Sequence, residues 1–267
     1  MPKKLKRFLL GLLNMAAVSA GAAAVAFLCE RILPATGAKL SAAVVLILLY
    51  LAGSRWIERR APAELRLAGF PGGIGGGAVL GAALFSSVMA MLWLLGAYHP
   101  SGWGAAGLLP AALVSALAGA AMEETIFRGF LFRLIAAWGG NWTALALTSA
   151  LFGLAHIGNR GATLASSAAI AIEAGVLLGA AYAAAGSLWL PVGIHAGWNF
   201  AEGPLFGTAV SGHAQHTSLI IGELRGPVLL TGGTFGPEAS LAAIVVCLAL
   251  AAVYLRRMAA GNTPAVS

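Results

Sequence analysis

Two adjacent glutamates, an arginine, two histidines and an asparagine lie on three apolar stretches with the types and spacing that peptide-bond hydrolysis needs. They are Glu123, Glu124 and Arg128 in one stretch, His156 four residues after Phe152 in the next, and His195 with Asn199 in a third. Residues four apart share a helix face, so Glu124 and Arg128 can pair and lower the cost of burying two charges. Neighbouring helical residues point about 100° apart, which leaves Glu123 free to face an internal cavity. A carboxylate can activate water as a general base. An imidazole can assist it or bind a metal, and a His/Asn pair can stabilise the oxyanion of a tetrahedral intermediate. Glu123, His156 and His195 could instead form a two-His, one-Glu zinc set with an open position, although the chain has no HExxH motif. The residue pattern leaves the metal-free and zinc versions open.

Each piece alone has a plainer reading. The glutamates could sit at a span end against Arg128 or water, His156 could be a hydrogen-bonded packing residue, and His195 with Asn199 could join two helices. What favours chemistry is their concentration. Ionisable groups inside a bilayer are expensive, and Glu123, Glu124, His156, Glu173, His195 and Glu202 are the few at membrane depth.

The bilayer follows from composition. Of 267 residues, 60% are hydrophobic and 9% charged, far less charge than a soluble domain carries. Mean hydropathy is +0.88. The pattern predicts an all-α, polytopic bundle of eight transmembrane helices at about 8–28, 40–57, 74–97, 105–134, 142–158, 164–185, 187–204 and 239–255. The whole chain, 1–267, reads as one integral membrane domain with a motif-bearing core at 105–205. The first apolar run follows Lys3, Lys4, Lys6 and Arg7 as in a signal peptide, but it is long enough to be an uncleaved span, with cleavage near Ala20–Ala24 the alternative.

Charge placement orients the bundle. With both termini on one side, that side holds twelve of the 16 basic residues, and the other holds only Arg31, Lys39, Arg160 and Arg225. The basic side is cytoplasmic by the positive-inside rule, so the expected location is the cell membrane with both termini cytoplasmic. The net charge of +7 sits in short clusters beside apolar runs, which argues against nucleic acid as a partner. Counting 1.5 Å per residue puts Glu123 about 8 Å, His195 about 12 Å and His156 about 17–21 Å from the inner edge of the hydrocarbon core. That places the chemistry in the cytoplasmic half to the middle of the membrane.

The remaining polar residues read more plainly. Glu173, in the sixth span, either lines the same cavity and tunes Glu123 or is a protonated, hydrogen-bonded structural group. Glu202 is expected to be interfacial. His99, His213 and His216 fall in outer segments and read as solvated. Trp56, Trp93, Trp103, Trp142 and Trp189 read as an aromatic belt. Cys29 and Cys247 read as small buried hydrophobes rather than a disulfide. The polar stretch from about 207 to 238 is expected outside, between the last two spans.

Glu123-Glu124-x-x-x-Arg128, Phe152-x-x-x-His156 and His195-x-x-x-Asn199, in that order on successive spans, resemble the CAAX protease and bacteriocin-processing family, which includes the Rce1-type prenyl-protein endopeptidases. The resemblance covers about 105–205, and more weakly Val210–Gly212 and Gly233–Glu238. It implies an eight-span intramembrane endopeptidase in which Glu123 and His156 activate water, His195 and Asn199 stabilise the oxyanion, and Glu124 and Arg128 hold the site in place. It implies a peptide or protein substrate at the lipid bilayer, with or without an attached lipid. The family has been described both as metal-dependent and as glutamate-type, so zinc stays open. A proton-coupled transporter using Glu123, Glu173 and His156, or an inactive scaffold of the same fold, are the rival readings.

Overall fold

The structure, a computed structural model, describes residues 2–215 and 217–261. His216 lies outside the described residues. The chain is a helical bundle, as its hydropathy requires: in lipid, every backbone polar group must be satisfied within the segment, and a helix does this alone. The helices are α1 (Lys3–Cys29), α2 (Ala35–Trp56), α3 (Gly77–Leu94), α4 (Leu109–Glu124), α5 (Arg133–Ala155), α6 (Leu164–Ile170), α7 (Val176–Ala185), α8 (Trp189–Phe200), the single turn α9 (Val228–Thr231) and α10 (Leu241–Ala259).

Six stretches are long and apolar enough to cross a membrane. The longest, Ala106–Ala155 with 50 residues, contains Gly140 at φ 80° and ψ 172°. That is a left-handed, non-helical break that only glycine adopts cheaply, and it divides the stretch into two passes. Between the sixth and last spans, α8 adds another pass with its π-helical extension Ala201–Leu205. The eight spans expected from hydropathy are therefore all present, two of them fused and one short.

Four of the spans contain π-helical turns: Gly72–Gly76, Thr125–Phe132, Ala171–Gly175 and Ala201–Leu205. Such turns occur mostly where a helix serves function. Here they carry Arg128, Glu173 and Glu202.

The helix bearing His195 and Asn199 is positioned by glycine. A Cβ on Gly81 would land on the Ile194 carbonyl, and one on Gly197 would land on the Ala78 carbonyl. α3 and α8 thus meet backbone to backbone, the close approach that small residues allow in lipid. On the sixth span, Gly175 meets the Ser149 backbone in the same way.

The two ends of the bundle are built differently. At the arginine-rich end, Glu58 accepts from Asn14 at 2.8 Å and pairs with Arg133 at 2.7 Å. Arg60 pairs with Glu64 at 2.8 Å, and the Tyr50 hydroxyl sits between Glu64 and the Gly129 carbonyl. Arg60 is held above its ordinary value: burial opposes its charge, but Tyr50, Glu64 and Glu58 outweigh that effect. At the opposite end, β1 (Tyr98–Trp103) pairs antiparallel with β2 (Ile220–Leu224) across a bulge at Pro100/Gly102. The polar stretch expected to lie outside instead folds back into the bundle. Thr208, Phe235, Glu238 and Ser240 are buried, and Gly212 donates to the Phe235 carbonyl at 2.6 Å.

Candidate active site

The π-helical turn after α4 places Arg128 beneath Glu124, and both side chains are fully buried. Arg128 Nη1 donates to Glu124 Oε1 at 2.8 Å. Its Nη2 reaches the carbonyls of Ala174 and Gly175 at 3.3 and 3.2 Å, which ties the fourth span to the sixth. The guanidinium also lies over the Phe152 ring at 4.7 Å. The same Glu124 oxygen stands 2.9 Å from His195 Nδ1, so one carboxylate joins three of the six side chains singled out from sequence.

Glu123 points elsewhere, as the helical angle requires. Its side chain is 42% exposed, and its Oε2 stands 4.0 Å from His195 Nε2. With Nδ1 engaged by Glu124, the imidazole presents its other nitrogen to Glu123 and to the space beside it.

His156 caps the C-terminal end of α5. Its Nδ1 lies 2.7 Å from the Phe152 carbonyl. A carbonyl can only accept, so Nδ1 carries the proton and Nε2 offers a lone pair. Phe152 is packed between the two histidines, 4.8 Å from His156 and 6.1 Å from His195, ring to ring. Glu123, His156 and Asn199 line one open cleft of about 670 Å³. His156, His195 and Asn199 line a smaller cavity behind it, of about 30 Å³, which has room for one or two waters. The structure therefore brings Glu123, His156, His195 and Asn199 around two adjoining spaces, with Glu124 and Arg128 buried behind His195.

The smaller cavity holds groups that were placed differently from sequence. Glu173 is buried there, and Cys247 Sγ donates to it at 3.2 Å. Cys247 is thus buried, as expected, but also acts as a donor. Glu173 lines the small cavity with Glu238, whereas Glu123 lines the open cleft. Glu202 is fully buried rather than interfacial, and the neighbouring Glu238 carboxyl interacts with its side chain. It sits where the 207–238 stretch folds back, beside Gly236. Ser211 and Glu238, on that stretch, line the cavity too. Burial pushes the Glu238 carboxyl above the usual range, with Ser211, Glu202 and His156 acting in the opposite direction. Trp189 is not part of an exposed belt: it is buried, and its indole donates to the Arg66 carbonyl at 2.9 Å.

The zinc alternative requires Glu123, His156 and His195 to converge. Among the described residues, no three His, Cys, Asp or Glu side chains are grouped closely enough to hold a metal ion. As placed, the residues do not form that three-ligand set.

A family model described as "Type II CAAX prenyl endopeptidase Rce1-like" matches residues 105–201. That segment, about a third of the chain, is similar to the Rce1-like family. The resemblance read from the three motifs is borne out, and the match spans α4 through α8, the elements that carry all six residues. The chain thus joins a segment similar to a CAAX-protease family with six helices long and apolar enough to cross a membrane. No curated protein and no solved structure matches the chain.

Sequence reasoning missed the Glu124–His195 contact and the buried carboxyls beyond residue 201. The first depends on the rotation of two helices 71 residues apart in sequence. The second had one available signal: glutamate in a glycine-rich stretch next to an apolar span.

Proposed function

We propose that this protein is an intramembrane endopeptidase in which Glu123 and His156 activate water and His195 with Asn199 stabilises the oxyanion, without a metal. The reading rests above all on the doubly held imidazole: His195 Nδ1 bound by Glu124, with Nε2 facing Glu123.

Charge balance supports the protonation states this needs. Glu123, Glu124 and Arg128 together carry one net negative charge, and an imidazolium at His195 makes the cluster neutral. His195 then donates Nδ1–H to Glu124 and Nε2–H to the developing oxyanion, with the Asn199 amide as second donor. Water in the cleft gives a proton to the Glu123 carboxylate, with His156 Nε2 accepting its other hydrogen bond. The water oxygen bonds to the scissile carbonyl carbon. As the tetrahedral intermediate collapses, the C–N bond breaks and the amine leaves with the proton held by Glu123.

Glu124 and Arg128 act through His195. The arginine neutralises the carboxylate and anchors it to the sixth span, so the imidazole cannot turn. The substrate is a peptide bond of a membrane-associated protein or peptide, whether lipidated or not. The twelve-to-four split of basic residues supports a cell-membrane location with both termini in the cytoplasm.

The test is cleavage of a proteome-derived peptide mixture by the protein in liposomes, with new termini identified by mass spectrometry. Wild type should generate a defined set of cuts that Glu123→Gln and His156→Ala do not. An identical set from wild type and both variants would reject the proposal.

A further inference from the structure

We infer that the cleft takes its substrate from the non-cytoplasmic side of the membrane, so that the substrate class is a peptide segment presented by an exported or membrane protein rather than a cytosolic tail. The inference deepens the endopeptidase reading and rests on it for the word substrate.

Two independent observations carry it. The first is where the cleft opens. Its floor is Glu123 and Phe127, well along the fourth span, and its walls and mouth are Thr36 and Lys39 at the start of α2, Leu108 just before α4, and Asn159 after α5. His213 and Gln215, on the infolded stretch after α8, complete the mouth. Every one of these mouth residues belongs to the end of the bundle opposite the chain termini. The infolded 207–238 stretch lines the cleft through Val210, Ser211, His213 and Gln215 without filling it, so the catalytic groups are reached from that end despite their depth.

The second is charge. The end away from the cleft carries the N-terminal lysines together with Arg7, Arg55, Arg59, Arg60, Arg66, Arg256 and Arg257, the distribution that marks a cytoplasmic face. That face has a pocket of its own, about 370 Å³ between Lys4, Arg7, Arg59, Arg60, Arg133 and Trp138, but none of the six candidate site residues lines it. Below Glu123, the Glu124–Arg128 pair and the side chains of Phe130 and Phe132 are fully buried. Beneath them, the ion pairs of Arg60 with Glu64 and of Arg133 with Glu58 tie the loop after α2 to the fifth span. A peptide approaching from the cytoplasm meets these packed aromatics and salt bridges, whereas one approaching from the other side meets the open cleft.

The mouth is also chemically suited to peptide. Lys39, Asn159, His213 and Gln215 offer donors and acceptors to a backbone. Among the described residues lining the cleft, Glu123 at the floor is its one carboxylate, so a chain terminus or acidic side chain meets no repulsion until it reaches the catalytic base.

The experiment uses the full chain in cells, with Cys29→Ser and Cys247→Ala as background. A single cysteine is placed by Ser115→Cys on the cleft wall, or by Arg257→Cys on the basic face, and a membrane-impermeant maleimide is added to intact spheroplasts or to inverted vesicles. The expected result is that Ser115→Cys labels in spheroplasts and is protected in inverted vesicles, with Arg257→Cys showing the reverse. Ser115→Cys labelling only in inverted vesicles overturns the inference and returns the cleft to cytosolic substrates. Labelling of Ser115→Cys from neither side overturns it as well, because the cleft is then not open to water. Labelling needs no catalysis, so adding Glu123→Gln should leave the pattern unchanged. Failure of the hydrolytic reading and failure of the access side are therefore separate results.

Discussion

His195 and Glu124 share a contact of 2.9 Å at Nδ1, on the same carboxylate oxygen that Arg128 holds at 2.8 Å. One buried glutamate thus serves two partners, Arg128 in its own span and His195 on α8, and the His195 imidazole inherits its orientation from an ion pair.

That arrangement predicts an asymmetric pair of variants. Arg128→Met leaves the Glu124 charge buried without its counterion and should destabilise the protein by about 3–5 kcal/mol. Adding Glu124→Gln removes the stranded charge and should recover part of that loss while activity stays abolished. Thermal unfolding in detergent measures both. A double variant no more stable than Arg128→Met would mean the pair is not the electrostatic unit described.

The oxyanion role of Asn199 predicts a loss of turnover without a loss of fold. Asn199→Ala should lower kcat by about 10²–10³, the usual effect of removing one such donor, with KM changed far less. A change confined to KM would make Asn199 a binding residue instead.

Gly197 lies between His195 and Asn199 on α8, where a methyl group would strike the Ala78 carbonyl. Gly197→Ala should push α8 from α3 and destabilise the bundle by about 1–3 kcal/mol. Activity should fall with it, because both oxyanion donors ride on the displaced helix. A variant with wild-type stability and rate would show that the helices can part without cost.

Burial holds Glu238 above the usual carboxylate range. A carboxyl raised in the fold binds more protons folded than unfolded. Its contribution is complete below the ordinary glutamate value, about 4.3, and is lost as pH rises through the raised value. Glu238→Gln removes that slope, so the variant should gain on wild type as pH rises from the ordinary glutamate value toward neutral in thermal unfolding. A constant difference across that window would assign the slope to another group.

How much of this was legible beforehand follows from the physics of lipid. Charges are costly there, so Glu123, Glu124, Arg128, His156, His195 and Asn199 stood out among apolar neighbours, and hydropathy marked the eight spans to within a few residues. Side-chain partners were legible only within one helix: Glu124–Arg128 follows from a four-residue spacing, whereas Glu124–His195 depends on how α4 and α8 are rotated. Glu202 was misplaced because its position near a span end suggested water. The chain after it, a glycine-rich stretch with no periodicity, folds back over it. The β1–β2 pairing joins Tyr98 to Leu224, a separation at which neither strand signals its partner.

Solvent-isotope incorporation tests the central claim most directly. Protein reconstituted in liposomes is incubated with a proteome-derived peptide mixture in ¹⁸O-water, and the new C-terminal carboxylates are read by mass spectrometry. The account predicts one solvent oxygen in each new carboxylate with wild type, and a rate lower by about 10²–10⁴ with Glu123→Gln, the usual worth of a general base. Cleavage by Glu123→Gln at the wild-type rate would contradict it.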